Sequence, residues 1–132
     1  FRMKLFLLLI IGLLTCVLSS AQELSCVDFK TGTFLNIEEG GSSTQIVRTK
    51  KIQIEKEDAI KVKLKVDWIN DCSYKLTFVK GNKAWYDKMG DFGQIPEITV
   101  RIIATEENSY MQESTFVGNQ SFVYTSKMVK IK

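Results

Sequence analysis

The sequence predicts an all-β protein: an antiparallel meander of about eight strands that closes into a small up-and-down barrel, after an N-terminal signal helix. Three observations support this prediction. Apolar and polar residues alternate with a period of two in several short runs, residues typical of turns separate these runs, and the one long apolar run lies at the N-terminus. Eight strands with one apolar face favour closure, because exposed edge strands invite aggregation.

The N-terminal segment has the three parts of a secretory signal peptide. Arg2 and Lys4 form a short basic region, and the run 5–18 contains no charged residue. This run is shorter than the roughly 20 residues that span a bilayer, which disfavours an anchor helix. Small residues at Ser19-Ser20-Ala21 then provide a cleavage site. We therefore predict a secreted or periplasmic protein.

Cys16 offers an alternative processing site. The sequence before this cysteine resembles a lipidation signal, but Thr15 is larger than the residue usually found at that position. An outer-membrane lipoprotein is therefore the less favoured alternative.

Cleavage after Ala21 would divide the chain into a signal peptide, residues 1–21, and one β-barrel domain, residues 22–132. The loss of Arg2 and Lys4 would leave 16 basic and 15 acidic side chains out of the 18 and 15 in the whole chain. Nucleic-acid affinity depends on neutralising phosphates, so this near-neutral domain predicts no nucleic-acid partner. We also expect no membrane span after cleavage, and no feature of the sequence indicates an oligomeric state.

Two cysteines, Cys26 and Cys72, remain in the predicted domain. In an exported protein an even pair is most simply a disulfide. A metal pair or a redox pair is the alternative, but the chain has no histidine and the two cysteines lack C-x-x-C spacing.

The clearest predicted hairpin covers residues 60–80. Apolar residues alternate with Lys61, Lys63 and Lys65 in its first strand, and Tyr74, Leu76 and Phe78 lie on one face of the return strand. Weaker runs raise the strand count to about eight, the last two of them being one strand or two. They are residues 32–37, 44–49, 52–55, 98–103, 110–117, 121–124 and 128–131.

The link over residues 81–96 is long for a hairpin, and long links are often functional. Trp85 and Met89 are four residues apart, so a helical turn would place both on one face. Six aromatic residues of the hairpin and this link form the candidate ligand site: Trp68, Tyr74, Phe78, Trp85, Tyr86 and Phe92. They either fill and plug the barrel, or form a pocket for a small apolar ligand with the link as a lid, or present a patch to a partner protein or a glycan.

No catalytic, metal or cofactor site is predicted. The absence of histidine excludes Ser-His-Asp and Cys-His catalysis, and the acidic residues are scattered beside turns without indicating a carboxylate pair. The leading hypothesis is an exported, non-enzymatic barrel that binds a small apolar ligand. The alternative is a cell-envelope structural or protein-interaction module with a solid core, whose partner would be an envelope protein.

Four segments carry a resemblance to a known group of proteins: residues 26–34, residues 48–50 leading to 53–55, residues 66–76, and residues 128–131. They resemble small secreted β-proteins of bacteroidete-type bacteria, and the architecture is similar to lipocalin-like barrels. The resemblance implies a β-meander and a Gram-negative envelope location. It implies no active site, because the shared residues are of turn, cysteine and core types.

Overall fold

The protein is described by a computed structural model that covers residues 23–90 and 94–132. Within these ranges eight strands form one closed antiparallel barrel, in which each strand pairs with the next and the last pairs with the first. The predicted all-β meander and its closure are confirmed. The predicted signal helix and Phe92 lie outside the described residues. The strands are β1 (Gly32–Ile37), β2 (Ser43–Arg48), β3 (Ile52–Glu57), β4 (Ile60–Asn70), β5 (Ser73–Gly81), β6 (Ile98–Thr105), β7 (Ser109–Phe116) and β8 (Asn119–Lys130).

The predicted hairpin is the pair β4 and β5. Val66 lies opposite Leu76 and Trp68 opposite Tyr74, so the apolar residues of both strands share the inner face. Lys65 points away from that face and is exposed. The two C-terminal runs at 121–124 and 128–131 belong to one strand, β8.

One end of the barrel is closed by the N-terminal segment of the described chain. A short 3-10 helix, Val27–Phe29, places the Phe29 ring 5.1 Å from that of Tyr110. The disulfide between Cys26 and Cys72 ties this segment to the β4–β5 turn, as predicted. Disulfides persist in oxidising compartments, so this bond indicates a protein outside the cytoplasm.

The inner face of the barrel is apolar on one side and polar on the other. Strands β4 to β6 bury residues such as Leu64, Val66 and Val100, as alternation predicts. Strands β2 and β3 instead bury Arg48 and Gln53, each only 2% exposed. Alternation of apolar residues alone would therefore have assigned the wrong inner face to β3.

The long link after β5 contains the α-helix α1 (Lys83–Met89), which includes both Trp85 and Met89. The Asn82 side chain caps it by accepting a hydrogen bond from the Trp85 backbone N–H at 3.0 Å. The helix packs on β4 and β5, where the Trp85 ring stacks on Phe78. In the ranges that the structure describes, helices with the length and apolarity needed to cross a membrane were not found.

Candidate ligand cavity

A cavity of about 500 Å³ lies inside the barrel. It extends from the buried Arg48 and Tyr74 towards the β1–β2 and β7–β8 turns, at the end opposite the disulfide. Ligand sites in proteins range from roughly 300 to 1,000 Å³, so the cavity has room for a small molecule. Its walls consist of Asn36, Glu38, Glu39, Ile46, Arg48, Gln53, Glu55, Tyr74, Leu76, Ile98, Val100, Gln112, Ser114, Thr115, Phe116, Val123, Tyr124, Thr125, Ser126 and Met128.

The apolar wall of the cavity comes mainly from β5 and β6. Leu76, Ile98 and Val100 provide it, because alternate residues of these strands point inward and are aliphatic. Tyr74 and Val100 lie opposite each other in the β5–β6 register, which extends this wall to the floor. An alkyl chain or an aromatic ring could therefore leave water against this side of the barrel.

The floor of the cavity is organised by the buried guanidinium of Arg48. Its Nε donates to Gln53 Oε1 at 2.7 Å, and its Nη1 donates to the Phe29 carbonyl oxygen at 3.0 Å. Its Nη2 donates to the hydroxyl oxygens of Tyr74 at 2.9 Å and Tyr110 at 3.1 Å. A buried charge is tolerated when hydrogen bonds replace its hydration, and here the groups that accept those hydrogen bonds are neutral.

The charge state of this floor follows from its surroundings. Burial disfavours the charged guanidinium, but the two phenols together outweigh burial, so the pKa of Arg48 lies above its ordinary value. Burial raises the pKa of Tyr74 well above its usual range. The floor therefore carries the positive charge of Arg48 beside the neutral phenol of Tyr74 over the physiological pH range.

Glu55 lies on the polar wall, next to Gln53. Its Oε1 accepts a hydrogen bond from Gln53 Nε2 at 2.8 Å, which links it indirectly to Arg48. The pKa of Glu55 is raised, mainly because burial disfavours its charged form, and the nearby carboxylate of Glu38 raises it further. The hydrogen bond from Gln53 and the charge of Arg48 lower the pKa but do not cancel this effect. Glu38 and Glu55 are thus close enough to interact electrostatically at the cavity wall.

The mouth of the cavity is formed partly by the β7–β8 hairpin. The Phe116 and Tyr124 rings meet edge to face at 6.2 Å, and both line the cavity. Residues 119–126 of β8 pair with β7 only, because the β1–β8 pairing runs from Phe34 with Lys130 to Ile37 with Lys127. This part of β8 therefore has one edge without a strand partner among the described residues.

Five of the six predicted aromatic residues lie in the described part of the chain, and of these five only Tyr74 lines the cavity. Tyr74 lines the cavity floor, and Trp68 packs on it with ring centroids 4.6 Å apart. Phe78 and Trp85 stack at 4.8 Å outside the cavity lining, while Tyr86 is 47% exposed on α1. No residue of α1 is among those that line the cavity, and Phe92 lies outside the described residues.

Sequence reasoning missed most of the polar lining. It did not single out Arg48, Gln53 or Glu55 as site residues, although they lie in segments that carry the resemblance noted above. The available signal was the alternation of side chains along a strand, since residues two apart point to the same face. Gln53 and Glu55 are two apart on one strand, and Ile46 and Arg48 are two apart on its neighbour. Among the described residues, no group of three acidic or cysteine side chains is arranged to hold a metal ion.

The fold and the site define a class of protein: a closed eight-stranded antiparallel barrel with one plugged end and an interior cavity of mixed polarity. The chain matches no protein-family model, no curated protein and no solved structure. The chemistry of the cavity itself is therefore the basis for assigning a function.

Proposed function

We propose that this protein is an exported, non-enzymatic carrier or receptor that binds a small, largely apolar molecule inside its barrel. The observation that supports the proposal is the cavity of about 500 Å³. One wall of this cavity is aliphatic and the other is polar, which is the usual composition of a small-molecule site. A polar wall orients a ligand, while the aliphatic wall contributes affinity by removing apolar surface from water.

The polar groups at the floor favour binding over catalysis. Arg48 donates to neutral acceptors on all sides, and the raised pKa of Tyr74 keeps its phenol protonated, so it does not act as a base. The chain has no histidine, which is the commonest general base. We therefore infer that the cavity retains its ligand unchanged.

We propose that the protein acts in the periplasm or outside the cell. The N-terminal 21 residues have the composition of a signal peptide, and the domain carries a disulfide that is stable in such compartments. A barrel stabilised by a disulfide suits an oxidising compartment, where that bond persists.

The test is to fill the cavity and measure binding of a neutral apolar dye, N-phenyl-1-naphthylamine, whose fluorescence rises in an apolar site. Ser114 lines the cavity, so Ser114→Trp should place an indole in it and reduce dye affinity at least about tenfold. Val47 is exposed on the outer face of β2, so Val47→Trp is the matched control and should bind dye as the wild type does.

Circular dichroism should show that both variants remain folded. Native mass spectrometry of protein purified without detergent would add a direct search for a retained molecule. Dye binding that is absent in the wild type, or equal in Ser114→Trp and Val47→Trp, would contradict the proposal.

A second candidate function, a protein-interaction module of the cell envelope, is favoured by a different observation. The β7–β8 hairpin exposes about half of each of four apolar side chains: Val117, Phe122, Val123 and Tyr124. Contiguous exposed apolar residues often mark interaction sites. If this function holds, Phe122→Ser should abolish cross-linking to envelope proteins without changing dye affinity. If cross-linking is unchanged by this substitution, the hairpin is not the contact surface.

A further inference from the structure

We propose that the ligand of this cavity is a cationic amphiphile: an apolar group that lies against β5 and β6, with an amino group that the carboxylates of the opposite wall hold. This inference rests on the proposed function and specifies its ligand class. It is argued from the charges, hydrogen bonds and aromatic rings of the cavity wall.

The charged residues that line the cavity are unequal in number and in availability. They are one cation, Arg48, and three carboxylates, Glu38, Glu39 and Glu55. In the described part of the chain, none of the three glutamates takes part in a salt bridge. Negative charge therefore predominates at the wall and mouth that a ligand must pass.

Arg48 is poorly placed to attract an anionic ligand. Its three nitrogens already make four hydrogen bonds to protein oxygens, and the residue is 2% exposed. A carboxylate ligand would have to displace Gln53 or the tyrosine hydroxyls to form a bidentate pair. It would also have to pass Glu38 and Glu39, where like charges repel it.

The hydrogen-bonding groups of the polar wall call for donors. Glu55 accepts one hydrogen bond, on Oε1, and no described residue donates to its second oxygen. An alkylammonium group has three donors and no acceptor, whereas a carboxylate has acceptors only. The ammonium group is thus complementary to the second carboxylate oxygen of Glu55.

The aromatic rings at the mouth point to the same ligand class. Phe116 and Tyr124 line the cavity beside the polar residues of β8, and their ring faces attract cations. Such attraction strengthens where apolar walls exclude water, as on the β5–β6 side. A cation could therefore be held between carboxylates and rings while its apolar group fills the remaining volume.

The test compares three ligands with the same ten-carbon chain and different head groups: decylamine, decanol and decanoate. The affinity of each is measured by its displacement of N-phenyl-1-naphthylamine at neutral pH. At this pH an aliphatic amine is charged. We expect decylamine to bind about tenfold or more tighter than decanol, and decanoate to bind weakest. Tighter binding of decanoate or equal binding of decylamine and decanol would overturn the ligand class but leave the proposed function standing. If none of the three displaces the dye and the dye itself does not bind, the proposed function fails.

A matched pair of variants then locates the cation. Glu55→Gln keeps an oxygen for the Gln53 hydrogen bond but removes the charge, so decylamine affinity should fall about tenfold while decanol affinity stays the same. Glu107 is exposed in the β6–β7 turn, at the plugged end of the barrel, so Glu107→Gln should leave both affinities unchanged. An equal loss of decylamine and decanol affinity in Glu55→Gln would show a structural effect and contradict the assigned contact.

Discussion

Replacing Arg48 by methionine should destabilise the barrel strongly, because the guanidinium joins four elements at its plugged end. Methionine has a similar length and fills much of the same space, but it provides no hydrogen-bond donor. The substitution therefore removes the hydrogen bonds to Gln53, to the Phe29 carbonyl and to the two phenols.

The size of the effect can be worked out from the partners that would be left behind. Gln53 Oε1 and the Phe29 carbonyl oxygen each lose the one side-chain donor that the structure gives them. A buried acceptor without a partner costs about 1–3 kcal/mol, so the pair costs about 2–6 kcal/mol. The phenols of Tyr74 and Tyr110 still bond each other, and removing a buried cation relieves its desolvation. We expect a net loss of about 3 kcal/mol in the free energy of unfolding.

Tyr74→Phe is the matched control for this prediction. The substitution removes one of the two hydroxyl oxygens that accept from Arg48 Nη2, and it removes the hydroxyl that donates to Gln112 Oε1. Arg48 Nη2 keeps its hydrogen bond to Tyr110. Only one acceptor is left without its partner, and it faces the cavity, so we expect a smaller loss of about 1 kcal/mol.

Urea unfolding with the disulfide intact, followed by tryptophan fluorescence and far-ultraviolet circular dichroism, measures both variants. Coincident transitions by the two probes would justify a two-state free energy. If the free energy of unfolding of Arg48→Met is within about 1 kcal/mol of the wild-type value, or is higher than that of Tyr74→Phe, the guanidinium does not organise the floor of the cavity.

Three further predictions concern other parts of the molecule. Replacing Cys26 and Cys72 by serine opens a loop with a sequence separation of 46 residues, so the free energy of unfolding in urea should fall by about 4 kcal/mol; an unchanged midpoint would contradict this. Glu55→Gln should raise stability at neutral pH and have no effect below the ordinary carboxyl pKa. The raised pKa of folded Glu55 means that the native state favours its protonated form, so wild-type stability falls as pH rises through that pKa; parallel pH profiles of the two proteins would refute the reasoning. Trp85→Ala should reduce stability by about 1–3 kcal/mol through lost packing on Phe78 but leave dye affinity within about twofold, since α1 does not line the cavity. A large change in dye affinity would support a lid role for α1.

Local sequence pattern was sufficient for the features that depend on neighbouring residues. In the hairpin of β4 and β5, alternation at 60–68 and at Tyr74, Leu76 and Phe78 predicted both strands and their shared inner face. The cysteine pair followed from count and compartment, and the disulfide is present. The four-residue spacing of Trp85 and Met89 is compatible with the helix that the structure contains there, although the spacing alone did not predict it.

The candidate site was much harder to predict, because its residues lie far apart along the chain. Arg48 bonds Tyr74, 26 residues away, and Tyr110, 62 residues away, and these distances close only when the barrel register is set. In β3 the isoleucines suggested one inner face and the structure uses the other, with Gln53 buried and Glu55 on the cavity wall. The hydrogen bond that Arg48 donates to Gln53 offsets the cost of burying the Gln53 amide. The hydropathy of a single strand contains no information about a partner on another strand.

What the sequence by itself determined is the identity and order of the strands, since a period of two and the turn residues between runs are local properties of the chain. What only the tertiary structure decided is whether the space between those strands is filled. Filling depends on the sizes and partners of inward side chains from all eight strands, and the short side chains of Ser114, Ser126 and Asn36 leave part of the interior that they line unfilled. The cavity, with its carboxylate wall, results from that shortfall in volume.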